Sequence, residues 1–143
     1  MGIPPPEPGL VINYAYLWHH EHLAGIEDGR KDRPSVIVLC VTPVEGSVPI
    51  VTILPITHSA PADASFAIEI PAAIKRHLGL DEARFWIVIA EGNEFAWPGY
   101  DIRKTPGSDD YVYGFLPPRF FKEVRDAFVA CHRAGRALMA PRT

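Results

Sequence analysis

Residues 35–41 read SVIVLCV, residues 42–47 TPVEGS and residues 48–57 VPIVTILPIT. The first run is uncharged and β-branched through Val36, Ile37 and Val38, and it is short enough for a strand buried on both faces. Pro43 and Gly46 mark a turn, and Val48–Thr57 supplies a second buried strand. The short link makes an antiparallel hairpin the natural pairing. Pro49 and Pro55 must then sit near strand ends or at a bulge, where no ladder N–H is needed.

Upstream, Ile12, Tyr14, Tyr16 and Trp18 recur with period two, which predicts a strand over Leu10–Trp18 with one aromatic face. Residues 1–8, with four prolines, read as an extended arm outside the core, so the domain is expected to start near Gly9. His19–Arg33 is polar, charged and aperiodic, and reads as a long surface loop. Downstream, Phe66–Ile70 and Phe85–Ala90 read as strands, and Tyr111–Phe115 as a final one. Pro71–Leu78 followed by Gly79 predicts a helix of two turns. After Pro117 and Pro118, the residues Phe120, Phe121, Val124, Ala127, Phe128 and Cys131 fall at helical spacing up to Gly135. Residues 137–143 are left as a C-terminal tail. The expectation is a single mainly β domain over residues 9–136, a small antiparallel barrel with a short helix and a closing amphipathic helix.

The chain has 143 residues, 48% hydrophobic and 22% charged, enough for a globular core. Its formal charge of −3 excludes a global field that holds polyanions, so any nucleic-acid function needs a local basic patch. Cys40 and Cys131 lie in apolar runs and read as small buried hydrophobes. No run is long and apolar enough to span a bilayer, and the N-terminal residues lack the pattern of a signal peptide, so a soluble cytoplasmic protein without membrane association is expected. The βαβ alternation and glycine-rich phosphate loop of nucleotide-binding folds are missing.

Three segments carry chemistry. His19-His20-Glu21-His22 invites a metal reading, but no second cluster supplies the remaining ligands, and the segment reads as a solvated loop with no metal site. Arg30-Lys31-Asp32-Arg33-Pro34 places cations immediately before a buried strand, and Pro34 holds Arg33 extended. A guanidinium matches phosphate bidentately, whereas the competing reading is a solvated charged loop. Thr57-His58-Ser59 ends the next strand in three groups able to donate or accept protons; a turn satisfied by Thr57 and Ser59 competes with that reading.

The order of Gly9 with its strand, Gly25-Ile26-Glu27, Arg33-Pro34 leading into Val36–Leu39, and Leu54-Pro55-Ile56-Thr57 resembles the MazF/PemK family of toxin–antitoxin ribonucleases. The resemblance runs on through Ile87–Trp97 and the helix from Pro118, to about Ala134. It implies an SH3-like barrel, a homodimer neutralised by a cognate antitoxin, and sequence-selective cleavage of single-stranded RNA with no metal or other cofactor. It also implies attack of a 2′-hydroxyl on the adjacent phosphate, leaving a cyclic phosphate and a free 5′-hydroxyl. Arg33 and Thr57 stand at the catalytic positions, with Glu27, Arg30, Lys31, His58 and Ser59 expected at the substrate. Two features depart from the family pattern: the histidine-rich stretch from His19 to Asp28 is longer, and the overall charge is acidic. His58 is a further candidate for acid or base work, although a strand continuing through Thr57 would turn it to the opposite face.

Two other functions compete. One keeps the barrel as a protein-binding module, or as a toxin blocking a protein target, with Tyr14, Tyr16, Trp18, Trp86 and Trp97 as interface anchors. The other is a metal-dependent enzyme built on the histidine cluster.

Overall fold

The computed structural model describes residues 2–25 and 31–142. The apolar hairpin forms as its residues dictate: β2 (Asp32–Val41) runs antiparallel to β3 (Ile50–Thr57), with Ser35 opposite Pro55 and Val41 opposite Ile50. A register shift between Ile37 and Leu39 admits one extra residue. The other edge of β2 pairs with β1 (Leu10–Ala15), placing Arg33 opposite Tyr14 and Pro34 opposite Asn13.

The remaining strands are β4 (Ala67–Glu69), β5 (Trp86–Val88), β6 (Glu91–Ala96), β7 (Ile102–Arg103), β8 (Val112–Phe115) and β9 (Leu138–Pro141). Pairing is antiparallel throughout, except that β9 lies parallel to β6. β3 divides one edge between partners, taking β6 over Ile50–Ile53 and β5 at Ile56 and Thr57; β1 divides its edge between β8 and β7. The sheet's path runs from β4 to β7 without closing, so what forms is a mainly β fold of antiparallel strands with a few helices.

Period-two alternation in β1 sends Val11 to one core and Leu10, Ile12 and Tyr14 to another. The first core is covered by helix α3 (Pro118–Arg133), whose Phe120, Val124, Phe128 and Cys131 are buried against the side of Val11, Val36, Val38 and Leu54, with Ala127 at the margin. The second gathers Tyr14, Tyr16, Ile37, Val51, Ile53, Phe95 and Trp97, and stacks Tyr14 on Phe95 at 4.7 Å. Helix α2 (Ala72–Leu78) ends at Gly79, whose φ of +71° is the left-handed cap a glycine tolerates best.

Three expectations change. The stretch read as a continuous surface loop holds a short helix, α1 (His19–Leu23), with Glu21 buried. The segment set apart as a tail supplies β9 and, beyond it, Arg142, whose side chain is 3% exposed; it donates to the carbonyl of Ala15 and to Asn93 Oδ1, both at 3.0 Å, and pairs with Asp101. The N-terminal arm is tied to the body, because the indole N–H of Trp97 donates to the carbonyl of Pro4 at 3.0 Å. Among the described residues no helix is long and apolar enough to cross a membrane.

Candidate functional site

Arg33 opens β2 and Thr57 closes β3. The register that sets Ser35 opposite Pro55, carried two residues further, sets Arg33 opposite Thr57. The ladder does not continue that far, because β2 stays with β1 while β3 turns to β5. Pro34 and Pro55 stand at the point of divergence, and neither has an N–H to hold the strands together. The gap is a cleft of about 210 Å³ lined by Lys31, Asp32, Arg33 and Pro34 from one strand, Ile56 to Ser59 from the other, and Phe85. A second cleft of about 360 Å³ shares Arg33, Thr57 and Ser59 and is completed by Trp18, His20 and Val88.

Arg33 is half-buried, and its guanidinium lies over the Trp18 ring, 4.9 Å from the centroid. Burial draws its pKa down from the ordinary value, opposed in order by the charges of Glu21, Tyr16 and Glu91. An arginine starts so far above neutrality that it remains a cation. Its Nε–H is buried without an acceptor among the described residues. The Thr57 hydroxyl accepts the backbone N–H of Ser59 at 3.2 Å, which leaves its own proton to donate.

Glu91, on β6, organises the opposite wall. One of its carboxylate oxygens accepts from the Tyr16 hydroxyl at 3.1 Å and from the His19 N–H at 3.0 Å, which anchors the first turn of α1. Desolvation raises the pKa of Glu91 above the ordinary glutamate value, held back first by the His19 N–H, then by the Tyr16 hydroxyl and by attraction to His19 and His20. The Trp18 N–H donates to Glu21 at 3.1 Å and closes the same turn.

Of the residues expected from sequence, Arg33, Thr57, Lys31, His58 and Ser59 are brought together in one cleft. Glu27 and Arg30 lie outside the described residues. His58 lines the cleft because β3 ends at Thr57, so strand alternation does not govern the next residue. Its Nδ1 lies 3.3 Å from the carbonyl of Arg84, and its ring packs on Phe85 with centroids 4.0 Å apart. Sequence reasoning missed Trp18, His20, Glu21 and Glu91 as parts of this site. The HHEH run gave a local signal for His20 and Glu21, whereas Glu91 stands in a segment with no pattern that links it to Arg33. Among the described residues no group of three or more His, Cys, Asp or Glu is placed to hold a metal ion. No protein-family model, curated protein or solved structure matches the chain.

Proposed function

We propose that this chain is an endoribonuclease that cleaves single-stranded RNA by attack of a ribose 2′-hydroxyl on the neighbouring phosphate, in the manner of the MazF/PemK toxins it resembles. The observation that carries the reading is the convergence of Arg33 and Thr57 on a single cleft from two diverging strand ends. The reaction builds negative charge on the phosphoryl oxygens as the 2′ oxygen bonds to phosphorus and the bond to the 5′ oxygen breaks. A guanidinium that lines the cleft and a hydroxyl with a free proton stabilise that charge, each worth ~10² to 10³ in rate. Trp18 restrains the guanidinium in place. Neither group needs a metal ion to act. Lys31 and Ser59, which line the cleft, serve the flanking phosphates.

On this reading the sheet is an SH3-like barrel of the MazF/PemK type, the working unit is a homodimer, and an antitoxin protein neutralises it. The exposed Leu39, Val41, Val44 and Val48 along the β2–β3 hairpin support a self-association surface. The test is cleavage of a mixed pool of single-stranded RNAs by purified protein. Wild type is expected to leave 5′-hydroxyl ends with or without chelator, and Arg33→Ala and Thr57→Val each to lose cleavage while unfolding at the wild-type temperature. Uncut RNA together with tight binding of a protein partner would replace the nuclease by the binding module.

A further inference from the structure

An in-line displacement at phosphorus moves two protons on opposite sides of the reacting phosphate: one leaves the attacking 2′-hydroxyl, the other reaches the departing 5′ oxygen. Arg33 stays charged and Thr57 is a neutral hydroxyl, so neither exchanges protons readily near neutral pH, whereas imidazole does. The two clefts meet at Arg33, Thr57 and Ser59 and extend from there in different directions, one to His58 and Phe85, the other to His20 and Trp18. Resting on the nuclease reading, we propose that His58 is the general base and His20 the general acid of the cleavage, standing on either side of the phosphate that Arg33 and Thr57 hold.

The roles follow from what each ring touches. A carbonyl only accepts, so the contact between His58 Nδ1 and the carbonyl of Arg84 requires the ring proton on Nδ1. That leaves Nε2 with its lone pair free to take a proton, and stacking on Phe85 restrains the ring. The charged groups around it are Lys31 just before β2, Asp32 and Arg33 from β2, and Arg84 ahead of β5. His20 lies beside the carboxylates of Glu21 and Glu91. Its neighbours are His19, Glu21 and His22 on α1, Arg33 on β2 and Glu91 on β6, and Glu91 attracts it directly. The turn that presents it is fixed to Glu91 through the His19 N–H.

In the step, Nε2 of His58 takes the 2′-hydroxyl proton as the 2′ oxygen bonds to phosphorus. The bond from phosphorus to the 5′ oxygen breaks, its electron pair stays on that oxygen, and His20 supplies the proton. The products are the 2′,3′-cyclic phosphate and the 5′-hydroxyl, and the protein has gained one proton at His58 and lost one at His20, which solvent restores.

The experiment uses the full chain. Cleavage positions in an RNA pool are mapped from the new 5′-hydroxyl ends, and an oligonucleotide with the mapped site is made twice, once with sulfur in place of the bridging 5′ oxygen. A thiolate departs without needing a proton, so the sulfur substrate bypasses a general acid and not a general base. With the oxygen substrate, His58→Gln and His20→Gln are each expected to slow single-turnover cleavage ~10²-fold or more with RNA binding retained. The wild-type rate is expected to be bell-shaped against pH, with the acidic limb lost in His58→Gln and the alkaline limb in His20→Gln. The sulfur substrate should bring His20→Gln back to within a few-fold of wild type and leave His58→Gln slow. Wild-type rates in both variants, or sulfur rescue of both or of neither, would overturn this pairing while the nuclease stands. An RNA pool left whole by wild type would overturn the nuclease reading and the pairing with it.

Discussion

The Tyr14 ring stacks on Phe95 and lies beneath the Arg142 guanidinium, and its hydroxyl is buried with no hydrogen-bond partner among the described residues. Desolvation, opposed by Arg142, raises the pKa of that hydroxyl above the ordinary tyrosine value, so it stays neutral. An unsatisfied buried hydroxyl contributes nothing that a ring of the same shape would lose. Tyr14→Phe is therefore expected to be at least as stable as wild type, by up to about 1 kcal/mol, checked by thermal unfolding. Glu91 behaves oppositely to a surface carboxylate. Because its folded-state pKa is raised, the folded protein holds more protons than the unfolded chain between the ordinary glutamate pKa and the raised one, and stability falls as pH rises through that interval. Glu91→Gln keeps an oxygen to accept from Tyr16 and His19 and removes the desolvated charge. Melting temperatures measured across that interval should lose this part of their decline with pH, and the variant should melt above wild type at neutral pH.

At the scale of elements, the last strand matters more than its position in the chain suggests. β9 adds to the edge of β6, and Arg142 then reaches Ala15, Asn93 and Asp101, joining the end of β1 to the segment ahead of β7. Arg142→Ala would take from Asp101, itself 7% exposed, its buried cation and leave it only the half-exposed Arg103, and is expected to cost up to ~3 kcal/mol in denaturant unfolding. A tail lying loose would show no such loss. Nothing in residues 137–143 marks them as a strand, because the partners that make them one come from far upstream. α3 is the contrasting case: its apolar spacing is complete within 16 residues, so the helix and its buried face were legible directly. α1 falls between the two. Its five residues show no period, and it is held by Glu91, some 70 positions away in sequence.

For the molecule as a whole, the balance of charge limits how RNA would be held under the proposed function. The chain carries 17 acidic against 14 basic residues, so affinity must come from the few cations at the cleft and not from a general field. Lys31 and Arg33 line it, about two phosphate contacts for each strand bound. Single-strand binding should then weaken with salt at a logarithmic slope of about −1.4 per site, read by fluorescence anisotropy with an uncleavable 2′-deoxy oligonucleotide. A slope several-fold steeper would mean a far more extended basic surface. The homodimer is checked by light scattering at micromolar concentration, where the mass of two chains is expected.

Local pattern was enough for the β2–β3 hairpin, the alternation of β1 as far as Ala15 and the helix α3, because in each the residues that create the element are neighbours in the chain. The nearness of Arg33 and Thr57 was legible for the same reason: an antiparallel hairpin brings its two outer ends together whatever surrounds it. The strands β6, β7 and β9, the open course of the sheet, and the gathering of Trp18, His20, Glu21 and Glu91 around Arg33 were not. Those depend on backbone pairing and buried polar contacts between segments far apart in sequence, and only the folded chain supplies the partners that make such residues strands, anchors or walls of a site.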